Sequence, residues 1–247
     1  MTARYGLIVG SGFDAFETNG DEHRVTTRFG APSAPIREAV IGGQAVLVLP
    51  RHGDQHELPP HLVNYRANLR ALQKLDVNTV VALNTVGAVS DVREPGQLAV
   101  PDQLIDYTWG RDHTLYDTPQ TGFRHLEFTE PFSGPLRQAL LDAATAAGVN
   151  CLNGGVYAAT QGPRLESAAE VDRLDRDGAD FVGMTGMPEA ALAMELGLDY
   201  ACLSLVVNKA AGRDDKPIHD AVKAGTLAAR AAALKLIKQF FSNRHDD

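Results

Sequence analysis

The sequence predicts an α/β fold with a mixed, twisted β-sheet flanked by helices, and three observations support this prediction. Short runs rich in β-branched residues alternate along the chain with segments of helical periodicity. Apolar residues make up 44% of the 247 residues, enough to fill a substantial core. The chain shows no repeat, no low-complexity tract and no long linker. We therefore expect a single domain spanning residues 1–247, a length that α/β domains often reach.

Seven short apolar runs are expected to form the strands of the sheet. Each is rich in β-branched or aromatic residues and is bounded by polar residues or glycine. In chain order they are YGLIVG, AVLVL, VNTVVAL, QLIDY, GVYAAT, DFVGM and YACLSLVV. Because helical segments separate them, neighbouring strands should be mostly parallel and covered on both faces.

Five segments have the periodicity or the boundary residues of helices. The first two cover about 62–75 and about 134–147. A capping box formed by Ser167 and Glu170 begins the third, and the fourth extends from Pro188 to Gly197. The last covers about 218–241, and its predicted buried stripe is Leu227, Leu234, Ile237 and Phe241.

Charge and cysteine content argue against several classes of function. The net charge is −8 and the basic residues are scattered, whereas nucleic-acid and membrane surfaces require a concentrated basic face. Cys151 and Cys202 lie in apolar stretches and form no CxxC pair, so we expect neither a disulfide framework nor a cysteine metal site. The N-terminus enters a strand directly, and no apolar run approaches the ~18 residues of a membrane span. We expect a cytoplasmic protein that binds a small molecule.

Polar side chains follow several of the predicted strands, which is where ligands bind in open α/β sheets. Glycine turns and helix N-termini at such places offer backbone N–H groups to an anion. The candidate residues are Ser11, Arg51 with His52, Asn84 with Thr85, and Thr185. Each of them taken singly is also typical of a cap, a turn or a solvated loop. Together they predict one oxyanion pocket, which we interpret as a phosphate site.

A dinucleotide site is the first alternative for the N-terminal glycine turn. Gly10, Gly12 and Ala15 satisfy the loose G-x-G-x-x-A pattern. That pattern requires a helix directly after the glycines and a second strand that ends in an acidic residue. The stretch that follows, ETNGDEHRVTTRFGAPSAP, is interrupted by glycine and proline instead.

A metal site is the alternative for the histidines that follow the second predicted strand. His52, His56 and His61 are close in sequence, but their spacing matches no established zinc pattern. The neighbouring Arg51 would also repel a cation. We therefore expect no metal.

Glu166 and Asn208 are the candidate residues for reading a ring system. Asn208 follows an apolar strand in LVVNKAAG, and Glu166 precedes the capping box without taking part in it. If both side chains face one cavity, they present acceptors and a donor to a planar heterocycle. A solvated carboxylate at a helix start is the alternative for Glu166.

Seven motifs, in this order and spacing, resemble the trimeric purine nucleoside phosphorylase and 5′-methylthioadenosine phosphorylase family. The resemblance covers about residues 5–240, and the branch that acts on S-methyl-5′-thioinosine is the most similar. The motifs are SG at 11–12, RHG at 51–53, VNYRANLRAL at 63–72, NTVGAV at 84–89, QGPRLES at 161–167, GMTGMPEAALA at 183–193 and VVNKAAG at 206–212.

The resemblance implies roles for single residues. Met184 would lie beneath the ribose, and Glu166 with Asn208 would read the purine. Adenosine-specific relatives carry a small hydroxyl residue at the position of Glu166 and aspartates at those of Asn208 and Ala210. Because N1 of a 6-oxopurine bears a proton that a carboxylate accepts, this chain should prefer 6-oxopurines. The phosphate contacts would be Ser11, Arg51, His52, Asn84, Thr85 and Thr185.

The implied reaction is the reversible phosphorolysis of a purine nucleoside, a pentosyl transfer that serves purine salvage. Phosphate attacks C1′ through an oxocarbenium-like state and the free purine leaves. Asn208 and His52 are the candidate catalytic residues, since Asn208 can stabilise charge on the departing base at N7 or O6. Phosphate is the co-substrate, and no metal or organic cofactor is implied.

The resemblance leaves the 5′ substituent and the assembly open. Relatives that act on inosine or guanosine place a histidine from the start of the last helix there, and His219 fits that position. Ile218 and Val222 would instead supply an apolar wall for a methylthio group. We expect S-methyl-5′-thioinosine, with inosine and guanosine as the alternative and methylthioadenosine or a nicotinamide-dependent oxidoreductase as weaker ones. The family implies a homotrimer or a dimer of trimers, in which the segment around His113 would reach a neighbour's site.

Overall fold

The computed structural model describes most of the chain. Its side-chain description excludes six positions near the start of the last helix, namely 218–221, 223 and 224. The described residues are 4–13, 18, 20–214 and 218–244.

The described residues form eleven strands and five α-helices, joined by loops that include two short 3₁₀ turns. The strands are β1 Tyr5–Val9, β2 Glu22–His23, β3 Ile36–Ile41, β4 Gln44–Pro50, β5 Thr79–Ala88, β6 Leu98–Val100, β7 Gln103–Asp106, β8 Cys151–Asn153, β9 Val156–Ala159, β10 Phe181–Gly183 and β11 Asp199–Lys209. The helices are α1 Tyr65–Lys74, α2 Gly134–Ala146, α3 Ala168–Arg176, α4 Gly186–Glu195 and α5 Ile218–Ser242.

The strands form one mixed sheet, which confirms the predicted fold class. β1 pairs in parallel with β4 and β5, and β5 pairs in parallel with β11. β10 and β6 pair antiparallel with β5 and β11, respectively. β11 follows β5 along its whole length, so β1 and β10 share the other edge of β5. The long strand β5 is therefore the centre of the sheet.

Helices cover both faces of the sheet, as the alternating pattern predicts. Leu69 of α1 and Leu192 of α4 pack in one buried cluster, whereas Leu140 of α2 and Phe240 of α5 pack in a second. Alternate residues of β5 enter the two clusters, because successive side chains of a strand point to opposite faces. A third, smaller cluster lies where α3 packs against the ends of β9 and β10.

Two of the four residues predicted to be buried in α5 are exposed. Ile237 and Phe241 are buried, but Leu227 is 73% exposed and Leu234 is 37% exposed. The buried face of the helix consists instead of Ala229, Ala233, Leu236, Ile237, Phe240 and Phe241. Residues two positions apart differ by about 200° around a helix, so a stripe through 227 and 234 points away from one through 229 and 236. Small alanines on the buried face let α5 approach the sheet closely.

Among the described residues, no helix is long and apolar enough to span a bilayer.

Candidate active site

A cavity of about 550 Å³ opens at the carboxyl ends of the central strands. It collects residues that are far apart in the sequence but were predicted to form one site. Ten of the predicted residues line it, namely Ser11, Arg51, His52, Asn84, Thr85, Glu166, Met184, Thr185, Asn208 and Ala210. His219 falls in the first turn of α5, where the side chains lie outside the described residues.

Most of these residues lie at or just after the carboxyl ends of strands. Ser11 follows β1, Arg51 follows β4, and Met184 with Thr185 follows β10. The expectation that Asn84, Thr85 and Asn208 also follow a strand is wrong, because β5 continues to Ala88 and β11 continues to Lys209. Both edges of β5 remain paired beyond Asn84, and this pairing keeps the backbone extended through the cavity wall.

Arg51 is a fully buried cation held by a bidentate ion pair with Glu189 of α4. Its Nε and Nη2 donate to the two carboxylate oxygens at 2.7 and 2.8 Å, and Nη1 donates to the carbonyl of Leu83 at 2.8 Å. Both side chains are almost completely inaccessible to solvent. These bonds use three of the five guanidinium N–H groups, and Arg51 also lines the cavity.

The Arg51 guanidinium keeps its charge in spite of burial. Burial disfavours the charged guanidinium, but the carboxylate of Glu189 outweighs burial and raises the pKa of Arg51 above its ordinary value. Tyr200 donates its hydroxyl to Glu189 at 2.8 Å, and burial followed by nearby acidic groups raises the pKa of that phenol. The network therefore presents a permanently cationic arginine beside the cavity.

Gly10 leaves room for the Arg51 guanidinium, which gives a first prediction. A Cβ at Gly10 would lie 2.7 Å from Arg51 Nη1 and 3.0 Å from the carbonyl oxygen of Leu83. We expect Gly10→Ala to displace the guanidinium and to raise the KM for phosphate by roughly tenfold, since one charged hydrogen bond is worth about 1.5–3 kcal/mol. Initial rates at varied phosphate concentration measure this.

Gly134→Ala is the matched control for this prediction, because a Cβ at Gly134 would contact nothing within 4 Å. Its KM for phosphate should equal that of the wild type. An unchanged KM in Gly10→Ala would show that the guanidinium position does not matter for phosphate.

His52 lies between the cavity and the loop that follows β4. Its Nδ1 is 2.8 Å from the carbonyl oxygen of Leu58, which can only accept, so Nδ1 carries the proton. The rings of His52 and His56 are in contact, with centroids 4.6 Å apart and planes tilted by 33°, and His56 Nε2 lies 3.4 Å from Ser11 Oγ. Imidazole and hydroxyl groups from two loops thus meet at one end of the cavity.

Asn84 is tied to the neighbouring strand β11. Its Oδ1 accepts from Ser204 Oγ at 2.8 Å and its Nδ2 contacts Cys202 Sγ at 3.4 Å. Ser204 stands opposite Asn84 in the parallel register. These contacts fix the orientation of the amide at the cavity wall.

The two cysteines should be inert toward thiol reagents in the folded protein. Burial raises the pKa of Cys202 to about 11 and that of Cys151 to about 12. A thiol reacts as its thiolate, and at pH 8 a pKa of about 11 leaves roughly one thiol in a thousand ionised. We expect no reaction with Ellman's reagent within minutes at pH 8, and two thiols titrated in guanidinium chloride. Rapid labelling of either cysteine in the native protein would contradict the raised pKa values of the two thiols.

Thr185 precedes α4, as predicted. α4 spans Gly186–Glu195, but Met187 has non-helical dihedral angles, so the continuous helix starts at Pro188, as the sequence predicts. The backbone N–H groups of Thr185 and Gly186 donate to the hydroxyl of Tyr157, at 3.3 and 3.4 Å. The Thr185 side chain makes no capping bond to the helix.

Glu166 lies outside the capping box of α3, as predicted. Ser167 and Glu170 form the box, and hydrogen bonds from Arg164 and then from the Ser167 backbone lower the pKa of Glu170 to about 2. Glu166 instead points its Oε1 at Thr160 Oγ1, at 2.6 Å. It is partly buried at the cavity wall, so the alternative of a fully solvated carboxylate does not describe it.

Asn208 reaches the cavity through an irregularity in β11. The register against β5 shifts between Val206 and Asn208, which is the pattern of a β-bulge. The Asn208 Nδ2 donates one proton to the carbonyl of Lys209 at 2.6 Å, and its second proton is available to a ligand. A Cβ at Gly87 would lie 3.2 Å from that nitrogen, so the absence of a side chain at Gly87 makes room for the amide.

The sequence of the chain shows which protein family has this site. A sequence model of the phosphorylase superfamily matches residues 4–242. The chain belongs to the phosphorylase superfamily. This phosphorylase is 54% identical over 193 residues to a probable S-methyl-5′-thioinosine phosphorylase of Xanthomonas campestris pv. campestris, covering 78% of this chain and 77% of the relative.

Other relatives of the phosphorylase carry related names. A 6-oxopurine nucleoside phosphorylase of Pyrococcus furiosus is 39% identical over 221 residues, covering 87% of this chain and 83% of the relative. A solved structure of methylthioadenosine phosphorylase from Schistosoma mansoni in complex with adenine superposes with a TM-score of 0.90 at 31% identity, covering 100% of this chain and 93% of that chain.

The helix that a dinucleotide-binding turn requires would directly follow Gly12, and residues 14–17 and 19 at that place lie outside the described residues. The described residues between position 20 and the start of β3 contain no helix. The described residues also contain no group of three or more His, Cys, Asp or Glu that could hold a metal ion.

Sequence reasoning missed three residues that support the site, namely Glu189, Thr160 and Arg111. Glu189 had one usable signal, because an acidic residue inside the apolar run GMPEAALA is either exposed or paired with a buried cation. Thr160 and Arg111 contact loops that are distant in sequence and become neighbours only in the folded protein. Nothing in the sequence around these two residues therefore indicates that they support the site.

Proposed function

We propose that this phosphorylase catalyses the reversible phosphorolysis of 6-oxopurine nucleosides, with S-methyl-5′-thioinosine as its main substrate. The observation that carries the proposal is the convergence of the predicted phosphate residues and the predicted purine residues on one cavity. The relatives named as S-methyl-5′-thioinosine phosphorylases, at 47–54% identity, support the choice of substrate.

The phosphate would bind at the end of the cavity lined by Arg51, His52 and Ser11. Arg51 would offer two N–H groups beyond its bonds to Glu189 and Leu83, and these bonds already fix the guanidinium in place before a ligand binds. Hydroxyl groups of Thr85 and Thr185 border the same space. A dianion bound among these donors needs little reorganisation of the site, which is the condition for electrostatic catalysis.

The purine would bind at the opposite side, between Glu166 and Asn208. The Glu166 carboxylate accepts the N1 proton of a 6-oxopurine, and the Asn208 amide donates to N7 or O6. Adenine has no N1 proton, so it would bring a lone pair against the carboxylate. This difference supports a 6-oxopurine substrate, although the solved relatives are methylthioadenosine phosphorylases.

The reaction follows from these two positions. A phosphate oxygen attacks C1′ while the bond from C1′ to N9 breaks and leaves its electron pair on the purine. The bound dianion lies close to the oxocarbenium-like centre and stabilises its positive charge. Asn208 stabilises the negative charge that the departing base gathers.

The 5′ end of the nucleoside would meet an apolar wall. The residues that line the cavity include Leu58, Pro59, Pro60, Leu165 and Val222. A methylthio group buries apolar surface there, whereas a 5′-hydroxyl would need a donor or acceptor. Inosine and guanosine are the second candidate substrates, because relatives at 39–41% identity are named 6-oxopurine nucleoside phosphorylases.

Incubating the purified protein with S-methyl-5′-thioinosine, with and without phosphate, tests the proposed reaction. We expect hypoxanthine release only with phosphate, together with 5-methylthioribose 1-phosphate as the second product. Base release that does not depend on phosphate would show a hydrolase instead. Inosine in a parallel reaction should be cleaved more slowly, and faster cleavage of inosine would reverse the assignment of the 5′ pocket.

We also propose a cytoplasmic homotrimer or dimer of trimers, as the family resemblance implies. Exposed aromatic side chains at Trp109 and Phe123, 69% and 77% exposed, support a contact surface between subunits. Sedimentation velocity of the purified chain tests this directly, and a purely monomeric species would contradict it.

A further inference from the structure

Thr160 lies directly after β9 and touches the carboxylate assigned to purine recognition. We propose that Thr160 is a positioning residue that orients Glu166 toward the purine and thereby contributes to the preference for 6-oxopurines. The inference rests on the proposed function of Glu166.

The hydrogen bond between the two side chains is short and well defined. Thr160 Oγ1 lies 2.6 Å from Glu166 Oε1 and 3.3 Å from the carbonyl oxygen of Gly183. A hydroxyl has one proton, and a carboxylate is the stronger acceptor, so the proton points at Glu166. Glu166 forms no ion pair with any described residue. The hydroxyl of Thr160 is therefore the hydrogen-bond donor that holds this carboxylate, while the Arg164 guanidinium acts on it electrostatically without forming an ion pair.

Thr160 is itself held firmly in place. Its backbone N–H donates to the carbonyl of Gly183 at 2.8 Å. The buried guanidinium of Arg111 donates to the carbonyls of Thr160 and Gln161, at 3.2 and 2.7 Å. The same guanidinium donates to the carbonyl of Met184 at 2.8 Å. Arg111 thus ties the segment of Thr160 to the segment that lies beneath the sugar in the proposed site.

This arrangement has a consequence for the carboxylate. With Oε1 engaged by Thr160, Oε2 is the oxygen left for the N1 proton of the base. The terminal torsion of a glutamate is broad, so without the hydroxyl the carboxylate would sample many orientations. Loss of Thr160 Oγ1 should therefore weaken the binding of the transition state when the substrate is a 6-oxopurine nucleoside. Substrates whose base has no N1 proton should be almost unaffected.

The experiment compares Thr160→Val, Thr160→Ser and a matched control, Thr114→Val. Thr114 Oγ1 donates to Glu195 Oε1 at 2.7 Å, a bond of the same kind outside the cavity. We expect Thr160→Val to lower kcat/KM for S-methyl-5′-thioinosine roughly tenfold, as for loss of a charged hydrogen bond. Its kcat/KM for methylthioadenosine should change less than about twofold, so the ratio between the substrates falls. Thr160→Ser should restore the ratio, and Thr114→Val should keep it.

The same substitution made in a Glu166→Ala variant separates this inference from the function on which it rests. In Glu166→Ala, adding Thr160→Val should cause no further loss, because the carboxylate that the hydroxyl orients is gone. A further tenfold loss in that background, or an equal loss for both substrates in Thr160→Val alone, would overturn the positioning role. An unchanged substrate ratio in Glu166→Ala would overturn the purine-reading role of Glu166 itself. Melting temperatures of all variants identify any that fail to fold. If Thr160→Val is one of them, the substrate ratio of Thr160→Ser decides.

Discussion

Replacing Glu189 by glutamine is expected to lower the free energy of unfolding by about 3–5 kcal/mol, since removing one partner of a buried ion pair leaves the other charge uncompensated. Glu189 and Arg51 form two hydrogen bonds at 2.7 and 2.8 Å away from solvent. A glutamine would turn an N–H₂ donor toward a guanidinium that only donates. The KM for phosphate should also rise, because the guanidinium loses its fixed orientation. Chemical denaturation and phosphate titrations measure both effects.

Asp54→Asn is the matched control for the Glu189 variant. Asp54 also accepts two hydrogen bonds from an arginine, Arg37, at 2.6 and 2.9 Å, but this pair lies at the surface. The hydrogen bond from Arg37 lowers the pKa of Asp54, yet solvent screens the pair. We expect a loss below about 1 kcal/mol. Equal losses in the two variants would contradict a special role for the buried pair.

Replacing Asn208 by aspartate is expected to lower kcat/KM for 6-oxopurine nucleosides by about a hundredfold or more, the usual cost of losing a transition-state donor. The aspartate would place a negative oxygen opposite O6 or N7 of the departing base. An amino group at C6 could instead donate to that oxygen. The ratio of kcat/KM for methylthioadenosine over S-methyl-5′-thioinosine should therefore rise.

Asn153→Asp controls for the general effect of an added carboxylate. Asn153 accepts a hydrogen bond from Arg137 at 2.9 Å and lies outside the cavity. Its substrate ratio should equal that of the wild type. An unchanged ratio in Asn208→Asp would show that Asn208 does not read the base.

Local patterns predicted the large elements of the fold because these elements bury continuous apolar surface. Each of the seven apolar runs overlaps one of the observed strands, and each of the five helical segments corresponds to an observed helix. The four missed strands are short or polar. β3, with the sequence IREAVI, carries an arginine and a glutamate, and β6 and β8 have three residues each. Their pairing is decided by the neighbouring strands, which no local pattern reveals.

The candidate site was predictable where a polar residue interrupts an apolar strand or follows it. Ser11, Arg51 and Asn208 are of this kind, and all three line the cavity. Glu189 was not predictable in this way, because its partner Arg51 is 138 positions away in the sequence. The orientation of the Glu166 carboxylate depends likewise on its hydrogen bond with Thr160, whose backbone is held by Arg111. Such contacts exist only after the loops have been brought together.

The most direct test of the account compares S-methyl-5′-thioinosine with methylthioadenosine at saturating phosphate. The two nucleosides share the sugar and differ only in the purine at C6 and N1, so the ratio of their kcat/KM values reports on base recognition alone. With Glu166 and Asn208 reading the base, the ratio should favour S-methyl-5′-thioinosine by at least about a hundredfold, as in sites built to hydrogen-bond a substrate group. Equal or faster cleavage of methylthioadenosine would contradict the assignment.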